Sequence, residues 1–290
     1  MASARARSPG HVTAFFQPVL TESPLTSGSL GAGFCISKGA EVKVTCDPST
    51  AYSLETYLNS KRSVAEVTEL VVLQMLGSRK MRVRVDVHTE LPISQGFGIS
   101  GASALATALA MDKALDLGSE RERLVQKAHI AEVEARTGLG DVYAESLGGG
   151  EMRVRPGAPP HGRIQPLDLE GPLLVCAIGK RIPTPKLLTE RSFLDQVAPL
   201  GESCLEEFAK GPSLDQLCRL GRRFAEGTGL LTPKIRRALE GLDGSTPGSM
   251  VMLGGSVFAF GDREKVRRAW SGLGEVFEVD IPETGAETLP

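Results

Sequence analysis

The stretch LPISQGFGISGAS, residues 91–103, sets Gly96, Gly98 and Gly101 at G-x-G-x-x-G spacing behind Pro92, and small residues then run on into ALATALAMDKAL. Such spacing suits an anion cradle, because glycine lets the backbone approach closely and a helix N-terminus offers free N–H groups to negative charge. A dinucleotide-binding turn also needs a buried parallel strand before it and a single crossover helix leading to a second strand. The preceding MRVRVDVHTEL instead alternates Val83, Val85 and Val87 with Arg82, Arg84 and Asp86, and the helix after the loop is followed by another helix. A Walker loop would carry G-K-[ST] where Ile99, Ser100 and Gly101 stand. Two readings stay open. One is a polyphosphate loop in which Gly96 and Gly98 approach the anion, Ala102 and Ser103 stay clear of it, and Ser100 supplies an oxygen for Mg²⁺. The other is a bend capping a tightly packed alanine-rich helix.

The surrounding elements must hold that loop. HVTAFF (11–16) and GFCISKGAEVKVTC (33–46) read as strands joined by a turn-rich segment from Glu22 to Gly33, and SVAEVTELVVLQML (63–76) has helical spacing. MRVRVDVHTEL alternates as a strand with one wet face. Helices are expected from about 102 to 117 and from about 119 to 135, the second with Ser119 and Glu122 as a capping box. A glycine cluster covers 137–157, and prolines at 156, 159, 160 and 166 mark a boundary between an N-terminal domain, 1–160, and a C-terminal domain, 161–290. Beyond it, PLLVCAIG (172–179) reads as a buried strand. Helices follow near 186–198, 202–210, 213–225 and 232–241, then a hairpin at 249–261, a helix in DREKVRRAWSGL and a strand in EVFEVDI. The class is α+β.

Composition narrows the function. With 290 residues, 41% hydrophobic, 23% charged and a net charge of −2, the chain has no basic excess, which argues against nucleic acid as a partner. No apolar run approaches the roughly 20 residues of a membrane span, and MASARARSPGHV lacks the apolar centre of a secretory signal, so a cytoplasmic protein is expected. Five cysteines without C-x-x-C spacing read as small core residues, not as a disulfide framework or zinc site.

P92-ISQ-GFG-IS-GAS resembles the second motif of the galactokinase, homoserine kinase, mevalonate kinase and phosphomevalonate kinase (GHMP) superfamily, P-x-x-x-G-L-G-S-S-A-A. SPGHV (8–12) resembles the first motif, A-P-G-K-V, and TGLGD (137–141) the G-x-x-D segment, in the same order. The departures, His11 for lysine, Ile99 for the first serine and a reduced third motif in MLGGSVFAF (252–260), are similar to the archaeal pantoate kinase family. That family is also similar in PGHVTAFF, GSLGAGF (28–34), GFGISGASAL and AEVEARTGLGDV (131–142). The resemblance implies a ribosomal protein S5 domain 2-like N-terminal domain and a ferredoxin-like C-terminal domain. It implies ATP and Mg²⁺ as cofactors and phosphorylation of pantoate to 4-phosphopantoate in coenzyme A synthesis, with a homodimer left open. The alternatives are a related kinase of another small alcohol or hydroxy acid, and a non-catalytic binding protein of the same fold.

Carried over residue by residue, the resemblance makes Asp141 the orienter or base of the acceptor hydroxyl, and Glu132 the acidic Mg²⁺ ligand beside Ser100, with Glu134 as competitor. Positions 132 and 134 point about 200° apart on a helix, so only one faces a site. A neutral His11 would not bring a lysine's fixed charge, and its expected role divides between hydrogen bonding at the site and a structural place. A pantoate carboxylate asks for a guanidinium. Arg153 and Arg155 follow the glycines on a strand at period two, with Arg153 nearer. Ser27, Ser29 and the GAG turn that begins at Gly31 are expected to complete the acceptor pocket, with Lys180, Thr184 and Lys186 as weaker candidates. The adenine pocket is placed between Tyr52 and Ser63.

Overall fold

The computed structural model describes residues 1–179 and 184–290. A long hairpin of β1 (Ala2–Val19) and β2 (Gly28–Pro48) organises the first sheet, with kinks in its pairing between Ser8 and Gly10 and between Thr13 and Phe15. β2 then divides its free edge. Gly31–Phe34 pairs with β6 (Gly150–Arg155), and Glu41–Pro48 pairs with β5 (Met81–His88). β5 pairs in parallel with β3 (Ser53–Leu58), which carries the two-residue β4 (Lys61–Arg62); neither β3 nor β4 is announced by the sequence. As the alternation predicts, Val83, Val85 and Val87 are buried and Arg82 and Arg84 exposed.

Over the buried face lie α1 (Glu66–Leu76), α2 (Ile99–Leu115) and α3 (Arg121–Glu134). Alanines at 102, 104, 106, 108 and 110 are fully buried, which lets α2 run at close range between the sheet and its two neighbours. The expected capping box is absent. Glu120 is the N-cap of α3 without a side-chain bond, and the Ser119 N–H donates instead to Asp112 Oδ1. A short α4 (Asp141–Leu147) occupies the expected glycine-rich loop.

The second sheet runs β11 (Glu275–Val279), β8 (Leu173–Ala177), β10 (Ser256–Phe260), β9 (Gly248–Val251), antiparallel throughout. Helices α5 (Thr184–Thr189), α6 (Arg191–Phe208), α7 (Leu214–Gly227) and α8 (Pro233–Glu240) separate β8 from β9, and α9 (Arg263–Ala269) separates β10 from β11. This is the expected ferredoxin-like β-α-β-β-α-β order. α6 runs through the break expected between helices at 186–198 and 202–210, while the start of the first of these falls in α5: Pro199 lies inside α6, and the face of Phe193, Val197, Cys204 and Phe208 buried against the core carries the helix through.

The proline-rich segment does not part the chain cleanly at 160. β7 (Arg163–Leu167) pairs with β6, and β12 (Glu287–Leu289) returns to pair with β1, so both belong to the first sheet. A single apolar cluster joins the units, Phe34 of β2 packing edge-on against Phe258 at 5.1 Å and Phe260 at 5.4 Å. All five cysteines are free and buried, as expected.

Candidate active site

The glycine loop ends at the N-terminus of α2, where Gly98 is left-handed (φ 67°, ψ 9°) and leads into Ile99. A Cβ there would also lie 2.6 Å from Glu145 Oε1 and 2.8 Å from the His11 nitrogen, so no other residue fits without displacing both. The His11 N–H donates to the Phe97 carbonyl at 3.0 Å, fixing the loop to β1. Ile99, the odd residue against the superfamily motif, is buried in the shared apolar cluster.

In front of the loop is a cavity of about 300 Å³. Its walls include Gly96, Gly98, Ser100 and Ser103 from the loop and α2, Glu132 from α3, and Thr137, Gly138 and Asp141 from the TGLGD turn. Thr13 and Ser29 close one side, and Tyr57, Ser63, Val64 and Thr68 line the other. Ser100 Oγ donates to Thr137 Oγ1 at 3.2 Å, which sets the two hydroxyls side by side. Ser103 Oγ turns back to the Ile99 carbonyl at 2.6 Å, and the Ala102 N–H is taken by the Gly98 carbonyl, so neither is free for a ligand. Pro92 is half-buried upstream and does not reach the cavity wall.

Behind the turn is a buried charged cluster. His11 Nδ1 lies 3.1 Å from Asp141 Oδ1, and its Nε2 lies 3.0 Å from Glu151 Oε1. Glu151 also pairs with Arg153, whose Nη2 donates to Thr13 Oγ1 at 3.4 Å. Burial is the largest single influence on His11 and pulls its pKa down, but Glu151 and Asp141 together outweigh it and raise the pKa to about 9. The expectation of a neutral imidazole is therefore reversed. A carboxylate at each ring nitrogen keeps His11 cationic at neutral pH, and the ring supplies the charge a lysine would. Burial also pushes Asp141 up, and there the hydrogen bond and charge of His11, with Arg153 behind them, prevail and hold the carboxyl below its usual range.

The candidate carboxylates on α3 separate as their spacing requires: Glu132 is 1% exposed and lines the cavity, while Glu134 is exposed. Both carboxylate oxygens of Glu145 on α4 are buried without a hydrogen-bond partner, and those of Glu132 are buried with no more than the nearby Val142 N–H. Burial, reinforced by Asp141, holds each of these carboxyls well above its usual range. Among the described residues no three acidic, histidine or cysteine side chains gather as a ready-made metal cage. Mg²⁺ needs none, since it takes one or two protein carboxylates and completes its shell with phosphate and water. The largely unsatisfied oxygens of Glu132 beside Ser100 fit it.

The two arginines part company. Arg153 is 3% exposed inside the cluster, whereas a kink in the β6–β7 pairing between them leaves Arg155 at the surface, bonded to the Pro160 carbonyl. Arg155 thus does not share the site, contrary to the even-period reading. Gly31 backs Arg153 from within the sheet, and Ser29 reaches the cavity. Ser27 serves its own turn instead, its hydroxyl taking the Thr21 N–H and its carbonyl receiving His129 Nε2 at 3.0 Å. Lys180 and the Thr184 side chain lie outside the described residues, and Lys186 is exposed. Sequence reading passed over Glu145, Glu151, Thr137 and Thr13. Glu151 had a signal, since it stands two residues before Arg153 on the same strand face.

The sequence pattern of the GHMP kinases N terminal domain matches residues 62–149, which holds the loop, Glu132 and Asp141. The pantoate kinase of Thermococcus kodakarensis is 36% identical, over 98% of this chain and 96% of its own. The chain belongs to the pantoate kinase family. A second family member, the pantoate kinase of Methanocaldococcus jannaschii, is 30% identical over 92% of this chain and 96% of its own. A solved structure described as a phosphotransferase related to the CoA biosynthesis pathway superposes with a TM-score of 0.86 at 32% identity, covering 99% of this chain and 98% of the other. Membership brings the two-unit GHMP kinase fold described above. No described helix is long and apolar enough to cross a membrane.

Proposed function

We infer that this protein is a pantoate kinase, transferring the γ-phosphoryl group of ATP to the 4-hydroxyl of pantoate. The hydroxyl oxygen bonds to the γ-phosphorus, the bridging P–O bond to the β-phosphate breaks, ADP leaves, and the hydroxyl proton is released. The observation that carries the reading is Asp141, paired with a cationic His11 and facing the same cavity as the free N-terminus of α2. A carboxylate lining the same cavity as that helix start supports this reading, because in-line phosphoryl transfer needs both an oriented acceptor and a held donor.

The loop from Gly96 to Gly101 directs backbone N–H groups and the start of α2 at the phosphates. Ser100 and Glu132 would hold Mg²⁺, which when bound offsets the charge of the transferring group. Asp141 accepts the hydrogen bond of the acceptor hydroxyl. Held ionised by His11, it is a weak base, and orientation is its chief contribution because a loose transition state asks little proton removal in advance. His11 adds positive charge beside the reacting oxygens. The base of ATP is accommodated between Tyr57 and Thr68, where Ser63 and Val64 line the cavity. Arg153 keeps Glu151 in place against His11, and through Nη2 it borders the acceptor side at Thr13.

An ADP-release assay of the purified protein over pantoate, pantoyl alcohol, homoserine and mevalonate tests the reading, with the product checked by phosphorus NMR. Pantoate is expected to be the best substrate, exceeding pantoyl alcohol, which lacks the carboxylate, by at least about an order of magnitude, the scale of one charge-assisted contact. Equal turnover of homoserine or mevalonate would overturn it.

A further inference from the structure

Four carboxylates gather around the start of α2: Glu132, Asp141, Glu145 and Glu151. Two of them have cations, Asp141 pairing with His11 and Glu151 with both His11 and Arg153. Glu132 and Glu145 have none among the described residues, and all four of their oxygens are buried, those of Glu145 without a partner and those of Glu132 with no more than the nearby Val142 N–H. A buried carboxylate without a cation is among the costliest arrangements in a protein interior, and here two occur together.

They also converge. A Cβ placed on Gly101 would lie 2.8 Å from Glu132 Oε1 and 2.9 Å from Glu145 Oε2, so both carboxylates reach one point on the first turn of α2. Glu132 approaches from the cavity side. Glu145, 0% exposed, approaches from beneath the loop, where it also meets the Cβ position of Gly98 at 2.6 Å. The backbone of α4 is anchored at this residue, since the Ala286 N–H donates to the Glu145 carbonyl at 2.9 Å. Ser100 and Thr137 add neutral oxygens on the same side. Once ionised, Glu132 and Glu145 would supply two negative charges, the complement of one divalent cation with oxygen ligands.

We propose that Glu145 is the second carboxylate partner of the divalent cation, sharing with Glu132 the charge that holds the ion under the phosphate loop. This rests on reading the loop as the phosphate and metal site, and it adds a residue that neither the superfamily motifs nor sequence reading marked. Glu145 thereby couples α4, which begins at the acceptor-orienting Asp141, to the ion on the donor side.

Mn²⁺ binding followed by the loss of the free-ion paramagnetic resonance signal tests this, with and without a non-hydrolysable ATP analogue. Glu145→Gln keeps shape and removes charge, and it should weaken Mn²⁺ at least about tenfold, the lower end of the effect for groups that support a bound metal. Glu145→Asp, which keeps the charge, should bind within a few-fold of wild type, and Glu134→Gln should match wild type. The wild-type rise in melting temperature on adding Mn²⁺ should largely vanish in Glu145→Gln. Wild-type Mn²⁺ affinity in Glu145→Gln alongside weakened affinity in Glu132→Gln would overturn the proposal and leave the kinase reading intact. If Glu145→Gln does not fold, Glu145→Asp decides: a loss of Mn²⁺ binding as large as that of Glu132→Gln in a folded protein would also overturn it. Failure of the wild type to bind Mn²⁺ in either condition would overturn both the proposal and the metal site on which it rests, while the substrate assay judges pantoate separately.

Discussion

The two sheets treat charge in opposite ways. In the second unit the ion pairs stay at the surface, as where Glu207 receives Arg219 and Arg223 or Glu278 receives Arg267, and the interior around Phe258, Phe260 and Trp270 is apolar. In the first unit His11, Glu132, Glu145, Glu151 and Arg153 are each under 4% exposed and crowd behind one loop. Surface pairs gain little because water screens them and their long side chains lose freedom. Buried charges are costly unless matched, and they are kept where a reaction uses them. The contrast teaches where to look: the same fold carries a core without buried charge on one side and a wired charged core on the other, and it is from the second that Glu132 and Asp141 reach the cavity.

Substitutions can break that contrast, and the largest expected effect is at its centre. Asp141→Asn should lower single-turnover rates by roughly 10² to 10⁴, the range for a lost acid–base or orienting group, while calorimetry finds ATP affinity near wild type. Normal turnover in that variant would remove Asp141 from the chemistry.

Next comes the charge on His11. Its folded pKa is raised from 6.5 to about 9, so its contribution to stability and activity is complete below about 6.5 and is lost as pH rises through about 9. The wild-type turnover profile should therefore fall on an alkaline limb near 9. Glu151→Gln, which removes one of the two carboxylates, should move that limb to lower pH and reduce turnover about tenfold at pH 8. An unmoved limb would detach the pH dependence from His11.

A smaller effect separates the arginines. Arg153→Ala should reduce turnover and raise the pantoate KM, since it unties Glu151 and opens the acceptor side, with the ATP KM nearly unchanged. Arg155→Ala should leave both close to wild type. Equal effects of the two would mean that burial and the strand kink do not distinguish them.

The smallest effect belongs to the second unit. Glu207→Gln breaks an exposed double pair, and its melting temperature should shift by no more than about a degree, with unchanged kinetics. A large loss there would show that the surface pairs carry more than the comparison allows.

Local patterns made much of this legible in the sequence. The alternation in β5, the alanine run of α2, the split between Glu132 and Glu134, and the strand–helix order of the second unit all follow from short-range periodicity. What was hidden depends on residues that meet from afar. The charge of His11 rests on Glu151, 140 residues away, and no window on PGHV contains it. Glu145 was masked because Gly138, Gly140 and Gly148 punctuate both sides of α4, and seven residues are too few to show helical periodicity. The even spacing of Arg153 and Arg155 misled because a kink in the β6–β7 pairing falls between them. Pro199 misled the other way, as packing of α6 outweighed its local preference.

The return of β12 to β1 inverts the order in which the molecule is completed during synthesis. The sheet that bears His11 is begun at residues 2–19, yet its edge strand arrives only at 287–289, after the second sheet has received its last strand at 275–279. Arg121 waits for the same arrival, since its Nη2 donates to the Ala286 carbonyl at 2.6 Å as well as to the Ser146 carbonyl at the end of α4. On chains stalled after residue 279 has cleared the exit tunnel, limited proteolysis should find the second sheet protected and the segment around α4 still cleavable. The sheet that holds His11 is the one that closes later.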